Sequence, residues 1–298
     1  MRSVKTAVIP VAGLGTRMLP ATKAIPKELL PVFDRPIIEH VVREAVAGGI
    51  DEIVFVTRSG KEAIENHFDA HYELEHRLEL KGKDKILGDV KDILPSRVKV
   101  TSGRQHDALG LGHAILCARH LLDGQPFAVL LPDVLVLDMA QRGDYFSFSE
   151  MMRAWEETGH GQIMVEHVGI DSVGSYGVVD LGEEQAHKFV PSKVLSFVEK
   201  PVPEEAPSDL AILGRYILPS QIWDVLEGVE EGVGGEIQLT DALDQLLTKS
   251  TLNAFLTDAQ IFDCGNKNGF LGANLAIGSR DPDARRYLQK LLTELWNS

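Results

Sequence analysis

The sequence predicts an α/β fold built on a mixed, mainly parallel central sheet flanked by helices. Three observations lead there. Short apolar runs at residues 6–11, 53–57 and 127–131 have the length and β-branched content of buried strands. Between the first two lies an apolar series at helical spacing: Ile37, Ile38, Val41, Val42, Ala45 and Val46. Strand, helix, strand is a crossover unit, and crossovers join parallel strands.

The elements follow in order. The first strand ends at a glycine-rich turn. Pro20, Pro26, Pro31 and Pro36 then recur too often for any helix interior, so residues 13–35 are expected to form an ordered, irregular loop. Pro36 opens the first helix at the position proline favours, and Gly48-Gly49 close it. Residues 61–95 are charged and mostly helical in pattern, with Phe68, Tyr72, Leu74 and Leu78 as anchors. A short strand is expected at 98–101 and a helix at 111–122, and the apolar strand at 127–131 delivers Pro132-Asp133. Beyond it the pattern mixes strands at 162–168, 177–180, 194–198 and 211–217 with helices at 219–228, 240–249, 268–278 and 282–296. Thr240 is the expected N-cap of the 240–249 helix. No repeat, low-complexity tract or flexible linker divides the chain, so a single continuous domain is expected.

Composition bounds the function. The chain has 298 residues, enough for a large core, and its 44% hydrophobic and 25% charged content is ordinary for a globular protein. The formal net charge is −14, from 44 acidic and 30 basic side chains, which argues against nucleic acid or an anionic membrane as partner. A small anionic ligand would need a local cluster of cations or a metal ion. Cys117 and Cys264 build neither a disulfide framework nor a four-ligand zinc site, and a reducing compartment is the simple reading. The apolar start is short and interrupted by Pro10, unlike a signal peptide, and no segment nears the ~20 apolar residues that span a bilayer. A cytoplasmic location is expected.

The chemistry starts at Val11-Ala12-Gly13-Leu14-Gly15-Thr16-Arg17. A glycine-rich turn after a strand lets backbone N–H groups cradle phosphates. It is not a P-loop, which needs G-x-x-x-x-G-K-[ST]. Nor is it a dinucleotide fingerprint: the third glycine is replaced by Met18, and Arg58 stands where an acidic residue belongs. A bare GxG is more often a tight strand exit. Arg17 and Lys27 on the same proline-braced loop tip the reading toward phosphate, one as a bidentate fork and the other as a point charge.

Other motifs are ambiguous alone. Gln105 carries an amide able to donate and accept on a base edge, and Gly110 permits close approach, yet the stretch also reads as a helix-entry loop. Asp133 leaves the C-terminal end of an apolar strand, where ligands gather in open α/β sheets, though a turn aspartate looks the same. Mg²⁺ in phosphoryl chemistry is usually held by one or two carboxylates and phosphate oxygens. Glu199-Lys200 at a strand end, taken alone, reads more readily as a surface ion pair than as a binding site.

From Gly13-Leu14-Gly15-Thr16-Arg17 through Pro26-Lys27-Glu28-Leu29-Leu30-Pro31, the loop resembles the signature of the sugar nucleotidyltransferases. It is most similar to the bacterial group that joins UTP to glucose 1-phosphate; related thymidylyltransferases carry a different stretch between the arginine and the lysine. The likeness extends over nearly the whole chain through separated motifs. It implies a Rossmann-like sheet of the nucleotide-diphospho-sugar transferase type, with a nucleotide-binding part at about 1–135 and a sugar-phosphate part with C-terminal helices at about 136–298.

The resemblance also implies roles. Ala12, Gly13, Gly15, Thr16, Arg17 and Lys27 would hold UTP, with Gln105 and Gly110 on uracil and Ala12 and Gly13 on the nucleoside's other side. Asp133 would be the Mg²⁺ aspartate and Asp263 a second ligand. The Gly177 backbone would face the hexose, Glu199 its hydroxyls and Lys200 the sugar phosphate. Residues 235–241 would be structural, close to the site. Arg17, Lys27, Asp133 and Lys200 would carry catalysis, yielding UDP-glucose and pyrophosphate from a homodimer or homotetramer. A phosphate nucleophile is already anionic, so no general base is needed, and catalysis reduces to alignment and charge neutralisation. The competing readings are another base or sugar, a catalytically silent regulatory relative, and a nicotinamide-binding protein.

Three tempting features are set aside. His67 and His71 sit four apart without the H-E-x-x-H pattern, so a solvated helix face is expected. Cys117 is expected in the core, and the acidic run at 227–231 on the surface.

Overall fold

The computed structural model describes residues 3–122, 124–230, 232 and 235–296. The N-terminal part comprises β1 (Thr6–Pro10), the short strands β2 (Pro31–Val32) and β3 (Arg35–Pro36), α1 (Ile37–Ala47) and β4 (Glu52–Thr57). Next come α2 (Glu62–Phe68), α3 (Tyr72–Leu80), α4 (Asp84–Lys91), β5 (Lys99–Arg104), α5 (Gly110–Leu116) and β6 (Phe127–Leu130). The middle carries β7 (Val134–Leu137), α6 (Phe146–Thr158), β8 (Gly161–His167), β9 (Gly177–Asp180), β10 (Pro191–Lys193) and β11 (Ser196–Glu199). The last third holds β12 (Leu210–Leu218), α7 (Ile222–Leu226), α8 (Leu239–Leu246), β13 (Leu252–Leu256), β14 (Gln260–Asp263), α9 (Lys267–Gly278) and α10 (Pro282–Trp296).

The central sheet runs β10-β13-β8-β12-β6-β1-β4-β5, with β9 beside β12 and β11 beside β9. β1 pairs in parallel with β4 and β6, and β4 with β5. β12 is antiparallel to both β6 and β8, and β13 is again parallel to β8. The expected mixed sheet flanked by helices is therefore present; parallel pairing prevails in its β6-β1-β4-β5 half, and antiparallel pairing around β12.

Alternation along the strands makes the two faces. Ala7 and Ile9, Ile53 and Phe55, and Ala128 and Leu130 pack into one core together with α1 and α6. Their neighbours Val8, Val54, Val56, Phe127 and Val129 pack into the other, against α5, α7 and α8. Strands buried on both faces read as unbroken apolar runs, which is why 6–11 and 127–131 are visible in the sequence.

Several expectations are corrected. Tyr72 is 80% exposed, not an anchor, because α3 packs chiefly against α4; Leu74 is exposed as well. Thr240 lies inside α8, which Gln238 precedes, and makes no cap hydrogen bond. His67 is not on a solvated face: its Nε2 lies 3.0 Å from Glu39 Oε2. His71 caps α3, accepting from the Leu74 N–H. Cys117 is only partly buried at the margin of the second core. Glu227 and Glu230 are exposed as expected, while Glu231 lies outside the described residues. The 111–122 helix is shorter than expected, and α6, β7, β10 and β13 appear where the sequence pattern was mixed. Among the described residues no helix is long and apolar enough to cross a membrane.

Candidate active site

The glycine-rich loop folds over Lys27. Gly15 has φ 69°, a left-handed conformation that suits glycine, and a Cβ there would come within 3.2 Å of the Lys27 Cβ. The Thr22 hydroxyl donates to the Gly15 carbonyl at 2.7 Å and fixes the turn. Arg17 follows in a short 3₁₀ turn, Thr16–Met18, and Lys27 begins another, Lys27–Leu29. The proline-rich stretch is thus ordered by short turns and by the β2–β3 pair.

Asp133 and Asp263 are brought together by strand register. Antiparallel pairing of β7 and β14 sets Val134 opposite Asp263, and the Cys264 N–H donates to the Asp133 carbonyl at 2.7 Å. Lys27 Nζ then reaches Asp133 Oδ2 at 2.5 Å, and Arg17 Nη1 reaches Asp263 Oδ2 at 3.1 Å. Arg17 Nη2 lies 3.9 Å from Asp133 Oδ2. Burial pushes the Asp133 carboxyl up, but the charge and hydrogen bond of Lys27, with Arg17 beyond, hold it below its ordinary value. Gly265 leaves this convergence open: a Cβ there would lie 2.5 Å from Arg17 Nη2 and 2.8 Å from both Asp133 Oδ2 and Asp263 Oδ1.

Two cavities meet at Asp133. One, of about 410 Å³, is lined by Ala12, Gly13, Gly15, Thr16, Lys27, Gln105, Gly110 and Asp133. The other, of about 330 Å³, is lined by Arg17, Asp133, Asp263, Gly177 and Glu199. Leu111, Leu131 and Asp133 line both. Gln105 Nε2 donates to the Gly110 carbonyl at 3.2 Å and lies 3.1 Å from His113 Nδ1, which leaves its carbonyl oxygen for other partners. Glu199 faces Gly177 across the β9–β11 ladder. Lys200 lines neither cavity; its ammonium is half-exposed, 3.1 Å from Glu199 Oε1.

The first cavity also includes Arg58 and Glu236, and the second Glu166, Tyr176 and Thr240. Glu236 and Thr240 belong to the 235–241 segment expected to be structural, Tyr176 precedes the expected sugar-side Gly177, and Arg58 and Glu166 are not among the expected site residues. Arg58 had a usable signal, since it follows the C-terminal end of a parallel strand, where such sites gather. Residues 235–241 hold the entry to α5: the Ile237 N–H donates to the Leu109 carbonyl, and the Gly112 N–H to the Ile237 carbonyl, each at 2.8 Å.

Residues 6–280 match the family model described as nucleotidyl transferase. The chain belongs to that family. It is 51% identical over 274 residues to the UTP–glucose-1-phosphate uridylyltransferase of Haemophilus influenzae, spanning 92% of this chain and 93% of the relative. A UTP-bound UGPase from Acinetobacter baumannii is 44% identical with a TM-score of 0.90, covering 98% of this chain and 99% of that one. A UDP-glucose pyrophosphorylase complexed with UDP-glucose is 33% identical with a TM-score of 0.83, over 93% of this chain and all of that one, 100%. The mixed sheet, the loop over Lys27 and the paired cavities are thus features of a nucleotidyltransferase.

The donor set suits a divalent ion of a particular kind. Among the described residues no three His, Cys, Asp or Glu side chains form a metal cage. Two carboxylates converging over Gly265 suit a divalent ion that takes its remaining ligands from phosphate and water, unlike a structural zinc held wholly by side chains.

Proposed function

We propose that the chain transfers the uridylyl group of UTP to glucose 1-phosphate, releasing pyrophosphate and forming UDP-glucose. The observation that carries this reading is the meeting of two cavities at Asp133, with Arg17 and Lys27 at the junction. The names of its relatives support the substrate pair: a uridylyltransferase for UTP and glucose 1-phosphate, a UTP-bound protein and a UDP-glucose complex.

UTP is assigned to the first cavity. Ala12, Gly13, Gly15 and Thr16 offer backbone and hydroxyl donors to the triphosphate, and Gln105 and Gly110 meet the base. Glucose 1-phosphate is assigned to the second, with Glu199 accepting from sugar hydroxyls and the Gly177 backbone against the ring. Lys200, beside Glu199 at the rim, is assigned to the sugar phosphate. Asp133 and Asp263 would hold Mg²⁺, which when bound neutralises phosphate charge and fixes the triphosphate's shape. Arg17 and Lys27, at the same junction, would face phosphate oxygens. A phosphate oxygen of the sugar attacks the α-phosphorus and pyrophosphate leaves in line. The attacking group is already charged, so Arg17, Lys27 and Lys200 serve by alignment and charge neutralisation.

Exposed apolar side chains on α9 and α10, Leu271, Leu275, Tyr287 and Leu295, support the expected homodimer or homotetramer. One continuous catalytic domain and a cytoplasmic location belong to the same reading.

A nucleotide and sugar panel tests it. Pyrophosphate release should be fastest with UTP and glucose 1-phosphate, should stop with EDTA and should return with Mg²⁺. Faster turnover with TTP or ATP would move the chain to another member of the family.

A further inference from the structure

Arg215 is the largest fully buried side chain and lines neither cavity. It sits on β12, next to Gly214, where the register of β12 against β8 shifts between Ile212 and Tyr216. Gly214 has φ 70°, and a Cβ there would lie 2.6 Å from Leu131 Cδ1, so this turn of the strand admits only glycine. The bulge sets the Arg215 guanidinium beneath the segment Leu131-Pro132-Asp133-Val134.

A guanidinium has five N–H donors, and all five are engaged here. Nε and Nη2 grip the two oxygens of Glu44, on α1, at 2.8 Å each. Nη2 also donates to the Val134 carbonyl at 2.6 Å. Nη1 donates to the Leu131 and Gly214 carbonyls at 3.2 Å each. The Leu131 N–H in turn donates to the Gly214 carbonyl at 2.9 Å. One side chain therefore holds the backbone on both sides of Asp133, while the Cys264 N–H holds the Asp133 carbonyl itself. A buried ion pair is weak evidence of stabilisation, because apolar residues of similar volume commonly do as well. Its two bonds to the carbonyls that flank Asp133, with Glu44 fixing the plane of the guanidinium, call for another reason.

We propose that Arg215, oriented by Glu44, is a positioning residue that fixes how the Asp133 carboxylate stands at the junction of the cavities. The proposal rests on the reading of Asp133 as the metal-holding carboxylate. Groups that orient metal-holding side chains in this way are typically worth about 10- to 100-fold in affinity or activity. Lysine cannot replace Arg215, since three donors on a point charge cannot serve five acceptors.

The test compares three variants of the full chain: Glu44→Leu with Arg215→Met together, Arg215→Lys alone, and Asp133→Asn as control. The double variant removes both charges, so no lone buried ion is left to unfold it. For folded protein, kcat should fall about 10- to 100-fold and half-saturating Mg²⁺ should rise by a similar factor, with KM for UTP little changed. The Arg215→Lys variant should show the same pattern more weakly. Hydrogen exchange of the apo protein should quicken selectively at the Leu131 and Cys264 amides. In the unaltered chain those two amides should exchange as slowly as the core of β6. Wild-type kcat and Mg²⁺ requirement in either folded variant would overturn the proposal, as would fast exchange of those amides in the unaltered chain. Full turnover by Asp133→Asn would instead overturn the underlying reading of Asp133.

Discussion

A carboxylate as covered as Asp133 would ordinarily hold its proton more tightly, since burial disfavours charge. Lys27, at 2.5 Å, reverses that and keeps the group below its ordinary value. The sign of the pH effect follows. A depressed folded value means the ionised form, and the stability it contributes, persists to low pH and is lost only as pH falls through that value. With Lys27→Met, burial prevails and the carboxyl rises. The acid limb of the kcat/KM profile should move to higher pH, and turnover should fall by about 10²–10³ from loss of a preorganised cation. A lower rate with an unmoved acid limb would show that Asp133 does not depend on Lys27. Lys27 stood out in the sequence because it shares a proline-braced loop with Arg17, whereas Asp133 reads alone as a turn aspartate and stood out only through the family resemblance. Arg215 did not stand out: one arginine in the apolar run of β12 reads as an irregularity until the strand register shows what lies above it.

At the scale of elements, α1 is both scaffold and tether. Its Glu44 grips Arg215, which bonds the carbonyls on either side of Asp133, and its Glu39 gathers Arg35, Arg43 at 2.9 Å and His67 at 3.0 Å. Burial raises the Glu39 carboxyl, but those hydrogen bonds outweigh it and bring it from 4.5 to about 2. That difference corresponds to on the order of 3 kcal/mol at neutral pH. The contribution is full above 4.5 and fades as pH falls toward about 2. Glu39→Gln should therefore lower Tm at neutral pH, and its gap from the wild type should close on acidification. A gap that stays constant with pH would place the effect elsewhere.

Element prediction succeeded where strands are buried on both faces and failed where the cues conflict. α6 begins with Phe-Ser-Phe-Ser, a period-two alternation, and has no side-chain cap, so its first turn reads as strand. β13 is only five residues long and follows a polar turn. The pairing of β7 with β14 joins segments more than a hundred residues apart, which local pattern does not reveal. That pairing completes the site by placing Asp263 beside Asp133.

For the whole molecule, the net charge of −14 poses the problem of bringing two anions together. The fold meets it locally, with Arg17 and Lys27 set against Asp133 and Asp263 where the two halves of the sheet meet. Arg58 adds a cation to the first cavity, and Lys200 one beside Glu199 near the second. Parallel α/β pairing was legible from the first crossover unit and the Rossmann-like type from the family resemblance, and the relatives' coverage of nearly the full chain agrees with both. The most direct test is a phosphorus NMR time course of the purified chain with UTP, glucose 1-phosphate and Mg²⁺. The account predicts that resonances of UDP-glucose and pyrophosphate grow together in equal amounts as both substrates disappear. Inorganic phosphate or UMP released from UTP with glucose 1-phosphate left unchanged, or no reaction at all, would contradict it.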